Sequence, residues 1–526
     1  MQASLRADTV CSRGSSLLAP FAPSMPLFPA DEPVLRAATG SERAPADRTI
    51  VLLLIAALFG VLLIRLGLNA LLPLADTTEA RYGEIARVGV AHGYWLMPHS
   101  SPELPFFAKP PASTWLAMVS ASLLGVSEFS LRLPSLLTMA IVILITMRLA
   151  ARGGPITQVA PLFAALIVAS APLGFIAAGA VMTDAVQCLA VTVAMACATK
   201  LITASPDRRA TWRNGFWAAV GLGTLAKGLA TVALIAFPIF LYGLALRAPW
   251  QTWRMFFSIR ALALAMLLAL PWYLLAEVYY PGFLSYFIVG EHFMRFIEPG
   301  WKGDRYGSAH IEPIGMIWAF TIMSLGPWLF AWLMPRGASA SDDAGLAALA
   351  PPGRLWWWCW TLAPLLMFTF ARNIIWTYCL TAIAPFALLL APRLATLSGS
   401  RLRVAAVGGL IWVAVLAAIA PVMFSRLNAG SARYLMAHVD RLDPAGRLPL
   451  SVPGSLRFSG KFYSRGRACI GKDPVSEAAC YARGDGLRII SNALVGPQLA
   501  AGQIEVLMAH DNYTLVRPIS PAQGAR

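Results

Sequence analysis

Apolar runs of about 20 residues recur between Ile50 and Phe424 with only short polar loops between them, and a lipid bilayer is the environment that suits such a chain. Crossing about 30 Å of hydrocarbon at about 1.5 Å per residue takes a helix of that length. Only 13% of the residues are charged, against roughly a quarter in soluble domains, so the apolar surface cannot be covered by a polar exterior. The expected fold class is an all-α polytopic membrane protein with about eleven to thirteen transmembrane helices and a small C-terminal α/β extracytoplasmic domain. The net charge of +16 could mean nucleic acid or anionic lipid. Its arginines sit mostly in short loops, as membrane insertion requires, and no nucleic-acid motif accompanies them.

With 50–73 as the first span and Arg43 and Arg48 in the cytoplasm, the remaining apolar runs alternate across the membrane. They are 131–150, 156–179, 181–200, 214–226, 229–246, 261–279, 314–334, 355–370, 374–390 and 404–424. This order gathers Arg148, Arg152, Arg208, Arg209, Arg213, Arg247, Arg254, Arg260, Arg393, Arg401 and Arg403 on the cytoplasmic side. Residues 1–49 lack periodicity and read as a disordered cytoplasmic tail, 50–424 as the membrane domain, and 425–526 as a small periplasmic domain with short alternating strands. Cys188, Cys197, Cys359 and Cys379 fall inside apolar runs as small core residues, while Cys469 and Cys480 stand in the polar C-terminal region and are expected to form a disulfide if it lies outside.

The first loop, 74–130, carries the densest polar signal. Residues 76–87 have helical periodicity and suit a helix lying along the bilayer surface, and 111–124 is too short to span, so a second interfacial helix is expected there. Asp76, Glu79, Arg81 and Lys109 lie on the outer side in this topology, together with Asp184, Lys227, Glu291, His292, Arg295, Arg372 and Tyr378. Ionisable groups beside hydrocarbon are costly, so their collection on one face points to a polar site between helices. Simpler readings exist for several. Asp76-Thr-Thr-Glu79 fits a helix capping box, Lys109-Pro-Pro a basic helix start, and Arg295 a headgroup-snorkelling arginine. His92, His99, His292 and Glu291 lack close metal-ligand spacing, and no metal or cofactor is expected.

Taken together, Asp76-x-x-Glu79-Ala-Arg81-Tyr82, Lys109-Pro-Pro, Glu128-Phe-Ser-Leu-Arg132, Thr183-Asp184, Leu225-Ala-Lys227-Gly and Glu291-His292-Phe-Met-Arg295 resemble the GT-C class of membrane glycosyltransferases. More narrowly, the pattern is similar to the lipid A 4-amino-4-deoxy-L-arabinose transferase (ArnT-like) family, kin to the dolichyl-phosphate-mannose protein mannosyltransferases. The resemblance covers roughly residues 50–395. It implies an inverting transferase of the bacterial inner membrane that uses a polyprenyl (undecaprenyl) phosphate-sugar donor at the periplasmic face, with lipid A or another glycolipid as acceptor. By motif it implies Asp76, Asp184 and Glu79 as catalytic acids, and Lys109, Arg295, Tyr378 and Arg81 as donor-phosphate ligands. Arg372, Lys227, Glu291 and His292 would shape the site or meet the acceptor. Two departures stand out: Ala108 occupies a position where the family commonly has Glu, and 372–378 lacks the family's lysine before the tyrosine. The alternatives are another sugar (mannose, uronic acid or hexosamine) passed to a glycolipid or protein, and, from a different class, a lipid or sugar transporter or flippase. A transporter would favour repeated halves and a midplane site, whereas this chain has no repeat and places its charges at the membrane edge.

Overall fold

A computed structural model describes residues 48–519, apart from 153, 156, 308–309, 335–352, 398, 472–475, 477–478 and 481–485. The expected N-terminal tail lies almost wholly outside the described residues. Helices dominate the membrane portion, and their order follows the apolar runs: Arg48–Leu71, Glu128–Ala151, Val159–Ser170, Asp184–Thr203, Pro206–Lys227, Leu229–Ala245, Ile259–Tyr279, Met316–Leu325, Gly353–Phe368, Leu380–Ala395 and Gly399–Ala429. The chain is a multi-pass membrane protein. Among the described residues, six helices are long and apolar enough to cross a bilayer. That is fewer than the expected eleven to thirteen, and proline explains two of the shortfalls. The run 156–179 breaks where Ala171 turns extended ahead of Pro172, and the run 314–334 breaks at Gly326-Pro327. A prolyl ring disfavours the helical conformation in the residue before it.

Burial distinguishes central helices from peripheral ones. In the Trp376–Ala395 span 78% of the apolar window is buried, whereas in Gly399–Ala429 only 17% is, so the first is the axis of the bundle and the second faces lipid. Arg48–Leu71 shows how the sequence sets this. Ile50, Leu54, Ala57, Val61 and Leu68 form the buried stripe, and Leu52, Ile55, Phe59, Leu62 and Leu63 are exposed to the hydrocarbon. Close helix contacts use small residues, since tails of lipid are as apolar as leucine and packing has to supply the attraction. A Cβ on Gly221 would come within 2.7 Å of the Ala265 carbonyl oxygen, so that glycine lets Pro206–Lys227 lie against Ile259–Tyr279.

The first loop holds two short helices, Thr78–His92 and Ala112–Leu124, joined through a two-stranded hairpin of β1 (His99–Ser101) and β2 (Leu104–Pro105). The expected capping box is not formed. Thr77 precedes the first helix and makes no side-chain capping bond, and the Asp76 carboxylate is engaged elsewhere. Glu79 is also committed: it forms a two-pronged ion pair with Arg132 at 2.8 Å and accepts the Val181 amide. Arg132, itself buried, also donates to the carbonyls of Asn69, Leu72 and Pro73. These are the last carbonyls of the first span, which have no intrahelical partner. The Glu79–Arg132 pair therefore fixes the loop to the end of that helix.

The C-terminal part starts after the long helix ends at Ala429, slightly beyond the expected boundary at 424/425. It forms a five-stranded sheet in the order β4-β3-β5-β7-β6, from β3 (Leu450–Pro453), β4 (Cys469–Gly471), β5 (Leu487–Ser491), β6 (Ile504–His510) and β7 (Tyr513–Pro518). The β3 strand pairs in parallel with β4 and β5, and the β5-β7-β6 part is antiparallel. Helices Arg433–Leu442 and Arg457–Tyr463 join it to the first loop. Tyr463 Oη accepts the Leu74 amide and donates to Glu128, Arg433 also pairs with Glu128 at 3.3 Å, and Phe462 packs with Leu74, Ala80 and Met118. Cys469 and Cys480 are joined by a disulfide.

Candidate active site

At the end of the bundle where the first loop, the Asp184 helix start and the Lys227 helix end converge, the structure encloses a cavity of about 150 Å³. Arg81, Lys109, Asp184, Lys227, Glu291, His292, Arg295 and Tyr378 all line it, from widely separated parts of the chain. Asp184 opens the Asp184–Thr203 helix and Lys227 closes Pro206–Lys227, so each charge also complements its helix dipole. The two form an ion pair at 2.7 Å, both nearly buried, and Lys227 Nζ stands 4.7 Å from the centre of the Tyr378 ring. Gly228 makes this approach possible. It has φ +64, and a Cβ there would strike Phe287 and His292, whose imidazole reaches the Lys227 carbonyl.

Opposite lies a second charged group. Residues Ser285–Met294 wind as a π-helix, whose wide turn is a frequent device at functional sites, and deliver Glu291 into the interior. Glu291 receives Lys109 at 2.8 Å and Arg295 at 2.8 Å, and the Tyr286 hydroxyl at 3.2 Å. Arg295 also reaches Asp304 at 3.2 Å. Burial pushes the Glu291 carboxyl up, but Lys109 and Arg295 outweigh it and hold the group below the ordinary glutamate value. Burial moves His292 down from the ordinary imidazole value, against its bonds to the Phe287 and Lys227 carbonyls. Glu291 thus acts as a bracket that presents two cations side by side. A snorkelling Arg295 would point to headgroups; here it points inward to Glu291 and Asp304.

The cations lining the cavity are Arg81, Lys109, Lys227 and Arg295, and the carboxylates are Asp184, Glu291 and Asp304. The balance is one positive charge, which suits a singly charged anion. Tyr82, Phe106, Phe287 and Tyr306 supply apolar and aromatic walls, and Asn373 adds a buried amide Nδ2 that has no partner among the described residues.

Three expected site residues are not in this cavity. Asp76 does not line it. Its two carboxylate oxygens accept the backbone amides of Phe458 at 2.9 Å and Ser459 at 2.8 Å, at the start of the Arg457–Tyr463 helix. Burial pushes its carboxyl up, and these bonds and Arg457 oppose that. Glu79 is turned to Arg132 and ties the loop to it. Arg372 is exposed and bonds the Glu312 carbonyl at 3.3 Å, so it does not replace the missing lysine in the site. Sequence reasoning in turn passed over Asp304 and Tyr306. The polar run Asp304-Arg305-Tyr306, set between Gly303 and Gly307, is the available signal.

Residues 50–287 match the family model described as dolichyl-phosphate-mannose-protein mannosyltransferase. The chain is 32% identical over 348 residues to undecaprenyl phosphate-alpha-4-amino-4-deoxy-L-arabinose arabinosyl transferase 1 of Sodalis glossinidius, an alignment covering 63% of this chain and 58% of that protein. It is 30% identical over 337 residues to the arabinosyl transferase of Pectobacterium atrosepticum, covering 63% and 58%. The chain thus spans 58% of the length of these curated relatives. Among solved structures it is similar to ArnT from Cupriavidus metallidurans bound to undecaprenyl phosphate, with a TM-score of 0.65 at 20% identity, covering 91% of this chain and 99% of that one. The apo form of the same protein gives a TM-score of 0.67 at 19% identity, covering 88% and 98%. The fold is therefore the GT-C fold of these transferases.

Proposed function

We propose that this chain, which belongs by fold and sequence with the ArnT-like transferases of the GT-C class, moves a sugar from a polyprenyl-phosphate carrier to lipid A at the periplasmic face of the inner membrane. The sugar favoured by the relatives is 4-amino-4-deoxy-L-arabinose. The single observation that carries the reading is the pair Lys109 and Arg295, held together on Glu291 inside a cavity whose lining has one excess positive charge. A sugar-phospholipid donor is a phosphodiester with one negative charge, so the charges match.

The chemistry follows from that placement. As the bond from the anomeric carbon to the carrier phosphate breaks, its electron pair leaves with the phosphate, and negative charge grows there. Lys109 and Arg295 each offer charge-assisted hydrogen bonds worth about 1.5–3 kcal/mol, aimed before the reaction begins. Tyr378 adds a phenol to the lining of the same cavity, beside Lys227. The acceptor oxygen attacks the opposite face of the sugar. An acceptor phosphate is already ionised at neutral pH, so no side chain has to remove a proton. This fits a cavity whose carboxylates Asp184 and Glu291 are both held ion-paired. Asp76 and Glu79 act as positioning residues for the loop that carries Arg81.

A second reading, in which another sugar is transferred, is favoured by Ala108. That side chain is buried beside Phe106 and Phe107, and the carboxylate meeting Lys109 comes from Glu291 instead. The test is transfer from an undecaprenyl-phosphate-linked aminoarabinose donor to lipid A in proteoliposomes, with mass spectrometry of lipid A from cells with and without the protein. An aminoarabinose mass increment that needs the protein is expected; a different increment supports the second reading, and no change in any glycolipid contradicts both.

A further inference from the structure

A second pocket, of about 80 Å³, lies beside the first and shares Arg81 and Tyr306 with it as a common wall. Among the described residues its lining carries Arg81, Arg305, Arg457 and Lys461, and no carboxylate. Arg81 and Arg457 donate to the same Tyr306 carbonyl, at 2.8 and 3.3 Å, so two guanidinium groups stand together with no acid between them. Aromatic faces fix their planes: Arg457 lies 4.5 Å from the Phe458 ring centre and Arg305 lies 4.8 Å from that of Tyr286. Arg81 Nε is buried and has no hydrogen-bond acceptor among the described residues. The nearest acids are already committed, Asp76 to the Phe458 and Ser459 amides and Asp304 to Arg295 and the Tyr306 amide. Clustered like charges repel unless an anion joins them, and planar guanidinium groups match phosphate oxygens in pairs.

We propose that this pocket seats the phosphomonoester of the acceptor glycolipid, with Arg81 turning one phosphate oxygen towards the sugar in the neighbouring cavity. The inference rests on the transferase reading above and adds where the acceptor headgroup binds. Only one bond forms and one breaks: the acceptor phosphate oxygen gains the anomeric carbon, and the carrier phosphate leaves with the electron pair. It also gives the C-terminal domain a role, because Arg457 and Lys461 both come from its Arg457–Tyr463 helix.

The test uses the full chain in nanodiscs with diphosphorylated lipid A, comparing wild type with Arg457→Gln, Lys461→Gln and Arg457→Lys. Each Gln variant is expected to raise the acceptor KM by about tenfold or more, as loss of one charge-assisted bond implies, while undecaprenyl phosphate binding stays within about twofold of wild type. Arg457→Lys should recover part of the loss. An acceptor KM unchanged in both Gln variants, with the protein folded and donor binding intact, overturns the proposal. If wild type transfers no sugar, the transferase reading fails separately, and a binding comparison decides the pocket. Vesicles of phosphorylated lipid A should bind wild type and lose binding in both Gln variants. Equal binding of dephosphorylated lipid A, or binding of inorganic phosphate as tight as that of the lipid, overturns it.

Discussion

Replacing Asp76 by alanine removes the acceptor for two backbone amides at the start of the Arg457–Tyr463 helix, at 2.9 and 2.8 Å. Charge-assisted bonds of this kind contribute about 1.5–3 kcal/mol each, so the gross loss is about 3–6 kcal/mol. Burial raises the Asp76 carboxyl and opposes these bonds, so the loss in holding this helix falls at the lower end of that range, about 3 kcal/mol. Since about 1.4 kcal/mol is a factor of ten, hydrogen exchange at Phe458 and Ser459 should accelerate by roughly 100-fold. Asp76→Asn keeps one carbonyl acceptor but loses the charge, and a smaller acceleration of about tenfold is expected. Hydrogen–deuterium exchange with mass spectrometry, on protein in nanodiscs, reads both. Unchanged protection of these amides in Asp76→Ala would refute the reasoning. Sugar transfer separates positioning from chemistry: Asp76→Asn should retain transfer in step with its helix protection. Complete loss of transfer with protection intact would return Asp76 to the reacting centre.

Further outcomes follow from the ion pairs and the disulfide. Lys227→Ala leaves Asp184 charged and alone in a buried site, which should destabilise the protein by about 3–5 kcal/mol, and Lys227→Ala combined with Asp184→Ala should recover much of this in thermal unfolding. For Glu291, the folded-state carboxyl lies below its ordinary value of 4.5, so its stabilisation is complete above that pH and lost as pH falls through the folded value. The difference in melting temperature between wild type and Glu291→Gln should therefore be flat from pH 6 to 8 and shrink only below about pH 4.5. Cys469 and Cys480 should resist thiol alkylation in intact, unreduced cells and react after reduction; free reaction of both would contradict a periplasmic C-terminal domain.

Much of this organisation was legible in the chain. Apolar run length set the positions of the helices, because a bilayer imposes one length and one polarity on every pass. The charges at the outer ends of those runs, Lys109, Asp184, Lys227, Glu291 and Arg295, meet in one cavity because alternation puts them at the same end of the bundle. What sequence could not supply were partners set by docking. Asp76 finds its amides 382 residues further along the chain, in a domain whose packing on the first loop has no local signature. Glu79 reads as an active-site acid until Arg132, which has to cap the first span's carbonyls, claims it. Arg372 sits in an exposed turn that aims it at the Glu312 carbonyl and away from the cavity.

Binding of undecaprenyl phosphate to the purified protein in nanodiscs tests the phosphate-holding role of the cavity most directly, with the uncharged undecaprenol as control. Saturable binding of the phosphate, weak binding of the alcohol, and a loss of about tenfold or more in each of Lys109→Ala and Arg295→Ala are expected. Equal affinity for the phosphate and the alcohol, or full affinity in both variants, would contradict it.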